Sequence, residues 1–272
     1  MTDFRILARG LLAAVLLVTA GCAGGDVAEE HVTITTPDGT ADALLFTPAG
    51  GGPAPVVLVW PDIGGLRPAF GEIGRRLAEE GYVALVPNAF YRSARLDGGT
   101  APGALDGAAL RTRFTEWRAA ADDDAIMRDT RAYMAFLDAR PEVDKTAKAG
   151  TLGYDVGGTH AFLAARAMPE RFGAVAVFHP LGIATARPNS PHLFVGETKA
   201  AYYVALAQSD DEREPGDKTD LTAAFADAGL DATVTVLPGG HGFAVPDSPA
   251  HDAPSAEQSW SAALALLKKA LH

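Results

Sequence analysis

Asp155 lies at the centre of Gly153-Tyr154-Asp155-Val156-Gly157-Gly158. The preceding residues, 148–152, form an apolar run of strand length, and residues 159–168 read as a helix. Strand, glycine-flanked turn and helix make a nucleophile elbow: one side chain is raised on a strained turn, and its neighbours lack a Cβ so that strand and helix can approach. The raised residue is ordinarily Ser or Cys. Here it is a carboxylate. His241 stands in Pro238-Gly239-Gly240-His241-Gly242-Phe243, just past a strand-like run, where one ring nitrogen can face the elbow and the other a carboxylate. Asp210 and Asp211, in Gln208-Ser209-Asp210-Asp211, compete to be that carboxylate; one of two adjacent acids at a strand end is ordinarily a solvated turn or helix-cap residue. His160 and His179 are further pocket candidates, since one opens the elbow helix and the other ends a strand.

These groups need elements to hold them. Residues 31–36 alternate with period two, Pro37-Asp38-Gly39 turns, and 41–47 return as a second strand. Apolar runs at 56–60, 82–86, 172–178, 201–207 and 232–237 read as further strands, the first buried on both faces. Helical periodicity covers 68–80, 121–139, 218–228 and 254–271. Residues 88–115 read as a long loop of the kind that often carries function, and 185–197 as a polar loop. Strands alternating with helices after an opening hairpin predict one α/β domain over residues 31–272, a mostly parallel central sheet covered by helices on both faces. Sites in such sheets lie at the carboxyl ends of the strands. The loop 61–65, the elbow, 208–211 and His241 all fall there. Elbow residue, acid, then histidine is the chain order of the α/β-hydrolases.

Asp62-Ile63-Gly64-Gly65-Leu66-Arg67-Pro68, the run from Glu80 to Asn88, Phe90-Tyr91-Arg92, the elbow, and His241-Gly242-Phe243-Ala244-Val245-Pro246 follow in order. With these segments the chain, from about Val32 to its C-terminus, resembles the dienelactone hydrolase family. The resemblance implies an α/β-hydrolase fold. No cofactor is expected, and Asp62, Asp155 and Asp211 with His241 do not make a metal signature. The resemblance places the family's Cys or Ser at Asp155, its histidine at His241 and its triad acid at Asp211, which Pro215 aligns in preference to Asp210. It assigns the oxyanion-hole N–H groups to Ile63 and Val156. Asp62 stands where a Glu holds the resting nucleophile, and Arg92, with Tyr91 beside it, where an Arg grips a substrate carboxylate. A second such Arg is replaced by Val245.

The carboxylate changes the chemistry. Attack on an ester carbonyl by Asp155 would give a mixed anhydride, a poor intermediate. Displacement at an sp³ carbon bearing halide or epoxide oxygen would instead give an alkyl-enzyme ester, which water activated by His241 would cleave. The expected function is hydrolysis of a small ester, lactone or related substrate. The alternatives are a dehalogenase-like or epoxide-hydrolase-like enzyme with Asp155 as nucleophile, Asp155 as base for water, and a small-ligand-binding lipoprotein without catalysis.

The chain is 48% hydrophobic and 21% charged, an ordinary globular balance, and its net charge of −11 disfavours nucleic acid or an anionic membrane surface as electrostatic partners. Its one cysteine, Cys22, lies outside the domain, so no disulfide, Cys metal site or thiol nucleophile is expected within it. Arg5 and Arg9, the apolar residues 11–18 and Thr19-Ala20-Gly21 before Cys22 resemble a bacterial lipoprotein signal, with residues 23–30 as a tether. The expectation is an exported protein, lipid-anchored through Cys22; an ordinary cleaved secretory signal is the alternative.

Overall fold

A computed structural model describes residues 27–50, 52–93 and 107–271. Eight strands form one sheet in the order β1-β2-β4-β3-β5-β6-β7-β8. β1 (Ala28–Thr36) and β2 (Gly39–Thr47) are the antiparallel hairpin, and β2 pairs antiparallel with β4 (Val83–Pro87). From β4 onward the sheet is parallel, through β3 (Val56–Trp60), β5 (Ala149–Tyr154), β6 (Phe172–Phe178), β7 (Ala201–Ala207) and β8 (Ala232–Leu237).

Alternation along the strands divides the interior into two layers. On β3, Val56, Leu58 and Trp60 pack with Ile126, Tyr133 and Leu137 of α3 (Asp123–Asp138) and with α4 (Gly157–Ala167). Val57 and Val59 face the opposite layer, with Phe70, Ile73 and Leu77 of α1 (Pro68–Glu79) and Trp260, Ala263 and Leu267 of α7 (Ala253–Leu271). The period-two strand and the i, i+3, i+4 helix stripes thus meet on both faces of the sheet.

Several elements differ from expectation. β1 opens at Ala28, so three residues expected in the tether pair with Thr47, Phe46 and Leu45. α2 (Gly107–Ala120) occupies part of the expected long loop; Ala, Thr and Arg dominate it, so no clear apolar stripe marks it in the sequence. Residues 94–106 of that loop, like the proposed signal and Cys22, lie outside the described residues. Residues 208–213 form a short helix, α5 (Gln208–Arg213), and α6 (Pro215–Ala228) begins three residues before the expected Lys218, with Pro215 in its first turn. Part of the expected polar loop winds as a 3₁₀ helix, Pro191–Glu197.

Candidate active site

The elbow has the predicted geometry. Asp155 adopts φ 51°, in the left-handed region, and is 3% exposed. Its N–H donates to Phe178 O at 3.1 Å, and its carbonyl accepts from Gly158 N at 3.0 Å. A Cβ on Gly153 would sit 2.2 Å from Gly157 O, and one on Gly157 would sit 2.3 Å from Trp60 O. Glycine is therefore required where α4 crosses β5 and β3.

Two loops converge on the Asp155 carboxylate. The N–H of Ile63, after β3, donates to Oδ2 at 3.3 Å. Nε2 of His241, after β8, lies 3.2 Å from Oδ1. Val156 is the N-cap of α4, where backbone N–H groups have no intrahelical acceptor and the helix dipole favours negative charge. Its side chain joins Phe90, Ile63 and Phe114 in a small apolar cluster.

His241 Nδ1 donates to Asp210 Oδ2 at 2.8 Å, and its backbone N–H donates to Ser209 Oγ at 3.0 Å. Burial works to lower the imidazole pKa, but the two carboxylates together outweigh it and hold the value up at about 9. At that value the protonated ring is favoured at neutral pH. Burial works to raise the Asp210 pKa, but the hydrogen bonds from His241 and Arg213, the latter at 2.9 Å, leave it below the usual carboxylate range.

The carboxylate that meets His241 is Asp210, not Asp211, where the resemblance places the acid. Both lie in the first turn of α5, where consecutive side chains point about 100° apart, so one alone can face β8. Asp210 is 7% exposed and meets the imidazole; no such contact is made by Asp211, and both carboxylates border a cleft of about 600 Å³ with Leu181, Thr185, Glu214 and Asp217. The sequence signal was the adjacent pair itself. Choosing between its members requires knowing that a helix starts at Gln208.

The three expected substrate contacts are otherwise engaged. Asp62 does not hold the elbow side chain: it takes a bidentate ion pair from Arg67, with Nη1 at 2.5 Å and Nη2 at 2.9 Å, and accepts Gly64 N at 2.7 Å. Burial raises its pKa and the nearby Asp155 charge adds to this, against the pull of Arg67. The Arg92 guanidinium is forked onto Asp129 at 2.8 and 2.9 Å and reaches Asp38 at 2.6 Å. Tyr91 Oη bonds Thr36 Oγ1 at 2.6 Å and donates to Asp129 at 3.0 Å. Both residues tie the β1–β2 hairpin to α3. His160 and His179 are buried neutral rings, their pKa values pushed down to about 3 chiefly by burial. His179 packs edge-on against His241, with ring centres 5.2 Å apart. Among the described residues no group of three or more His, Cys, Asp or Glu side chains is arranged to hold a metal ion.

An elbow residue within reach of a histidine whose other nitrogen meets an acid is the arrangement of a covalent or base-assisted hydrolase. The sequence profile described as "Dienelactone hydrolase family" matches residues 41–271. The chain belongs to the dienelactone hydrolase family. It is a hydrolase. Its sequence is 29% identical over 263 residues to a Methylorubrum extorquens protein provisionally named a carboxymethylenebutenolidase, covering 95% of this chain and 86% of the relative. It is 33% identical over 137 residues to a carboxymethylenebutenolidase of Pseudomonas putida, covering 50% of this chain and 55% of that one. In fold it is similar to a dienelactone hydrolase-like promiscuous phosphotriesterase from metagenomic libraries, with TM-score 0.74 and 23% identity over 91% of this chain and 100% of that one.

Proposed function

We propose that this dienelactone hydrolase-family protein hydrolyses a small uncharged substrate through a covalent ester on Asp155. One observation carries the reading: the oxyanion donor Ile63 N–H points at Oδ2 of Asp155 itself, while His241 faces Oδ1. Oδ1 attacks a carbon bearing a leaving group, the carbon–leaving-group bond breaks with its electron pair, and Oδ1 becomes the ester oxygen. Oδ2 remains a carbonyl oxygen on Ile63 N–H. Esterification removes the anion that held His241 protonated, so the imidazole releases a proton to solvent and becomes a base. It takes a proton from water, hydroxide adds to Cγ of Asp155, and the oxyanion forms at Oδ2 beside the N–H groups of Ile63 and Val156. Collapse expels the product alkoxide, which His241 protonates. The balance is substrate plus water giving alcohol, leaving-group anion and one proton. An uncharged substrate is supported by the arginines near the site: Arg67, Arg92 and Arg213 each already meet a carboxylate.

A second reading is favoured by the similarity to the carboxymethylenebutenolidase of Pseudomonas putida: ester or lactone hydrolysis in which Asp155 and His241 act on water directly, and the substrate carbonyl displaces Oδ2 from Ile63 N–H. A panel of alkyl halides, haloacids, epoxides, lactones and aryl esters identifies the substrate. A single turnover in H₂¹⁸O then separates the routes. The covalent route deposits label in Asp155 and leaves the first product unlabelled, and the His241→Ala variant accumulates the adduct by intact mass. Label appearing directly in the first product overturns the covalent reading.

For localisation we propose export and lipidation at Cys22, supported by the basic, apolar and small-residue segments that precede it. Cys22→Ser is expected to move the protein from the membrane fraction to the soluble one; unchanged membrane association would overturn the anchor.

A further inference from the structure

Arg67 lies outside the triad, yet it touches both loops that serve Asp155. Its Nη1 and Nη2 fork onto Asp62, the residue directly before the oxyanion donor Ile63. Its Nε and Nη2 fork onto Asp247, both at 2.8 Å, and Asp247 lies six residues beyond His241 on the β8–α7 loop. Nη1 also donates to Gly65 O at 3.3 Å, and the guanidinium stacks 5.0 Å from the centre of the Phe70 ring. Every guanidinium nitrogen is thus engaged, and the side chain is 13% exposed. The fork needs room as well as charge: a Cβ on Gly64 would meet Nη1 at 2.3 Å and Asp62 Oδ1 at 2.8 Å.

Asp62 and Asp247 are far apart in sequence, and hydrogen bonds around the Asp155 carboxylate depend on where their loops stand. A planar guanidinium with two bidentate partners fixes distance and angle between them, which an ammonium point charge does not. We propose that Arg67 is a positioning residue that clamps the Ile63 loop to the His241 loop, and so holds the oxyanion donor and the imidazole on opposite oxygens of Asp155. The proposal requires only that Ile63 and His241 serve the reaction, whichever route Asp155 takes.

The test uses whichever substrate the wild-type protein turns over. Arg67→Met and Arg67→Lys are each expected to lower kcat about 100-fold, the scale of losing one oxyanion donor, with KM within about threefold. Loss of Arg67 also strands buried charge, so a folding defect must be separated from misplacement. The neutral triple variant Asp62→Asn, Arg67→Met, Asp247→Asn is expected to recover the wild-type thermal midpoint while kcat stays low. Recovery of kcat together with the midpoint would show a purely structural role and overturn the proposal. So would a folded Arg67→Met variant with kcat within twofold of wild type, or full activity in Arg67→Lys. The isotope experiment on Asp155 reads out independently of all three variants, so failure of the clamp and failure of the covalent route are distinguishable.

Discussion

His241 donates through Nδ1 to Asp210 at 2.8 Å and not to the neighbouring Asp211. The two carboxylates differ by one position in α5. Asp210→Asn removes the anion that holds the imidazole in one tautomer, and its amide NH2 can hold the ring in the other. Its kcat is expected to fall about 10³- to 10⁴-fold, as for triad acids in general. Asp211→Asn is expected to stay within about threefold. Steady-state kinetics on the two purified variants checks the assignment, and a reversed ranking would return the acid to Asp211.

The imidazolium between Asp155 and Asp210 links folding to pH. His241 is held at about 9 in the folded state against an ordinary value of 6.5. Its contribution to stability is therefore fully present below about pH 6.5 and is lost as pH rises through 9. The ring is 33% exposed, so water screens the pairs, and the loss is expected to be on the order of 1–2 kcal/mol. Denaturant melts of wild type and His241→Gln between pH 6 and 10 should differ in slope over that window. Asp155→Asn removes one of the two anions, so the His241 titration followed by NMR is expected to move down towards the ordinary value. An unmoved titration would mean that Asp155 does not hold the charge.

Arg92 is expected to matter to stability through a fully buried partner. Asp129 is 0% exposed and takes both guanidinium nitrogens of Arg92. Arg92→Met leaves that carboxylate with Tyr91 as its hydrogen-bond donor and should cost about 3–5 kcal/mol. Turnover per folded molecule should change little, since the network ties hairpin to helix. Urea unfolding beside kinetics distinguishes this from substrate binding, which would raise KM and leave the midpoint in place.

Gly157 tests the elbow backbone. An added Cβ would lie 2.3 Å from Trp60 O and 2.5 Å from Pro61 O, atoms of the sheet and of the oxyanion loop that cannot swing aside. Gly157→Ala is expected to lose at least about 3 kcal/mol or fail to fold, in the range of severe overpacking. Gly216→Ala, with open space around its Cβ in the first turn of α6, is expected to be neutral or stabilising by up to about 1 kcal/mol. Thermal midpoints of the pair check both.

The parallel core and the elbow were legible because they rest on local patterns: unbroken apolar strands, glycines at fixed spacing, and a histidine between glycines past a strand. The acid was not, because α5 is six residues long and carries no periodicity, so nothing local says which way Asp210 points. The partners of Arg92 are not legible locally, because Asp38 and Asp129 are 54 and 37 residues away and meet it only when the hairpin packs on α3. Arg67 escaped notice for the same reason, since Asp247 is 180 residues distant.

The left-handed backbone of Asp155 has a consequence of its own. Asp and Asn enter that region several-fold more readily than most residues with a side chain. The carboxylate at the elbow therefore lowers the conformational penalty of the turn as well as setting its chemistry. An engineer who installs a thiol or hydroxyl at this position would meet a rise in local strain before any gain in reactivity, and the cost would fall on the backbone that aims the side chain.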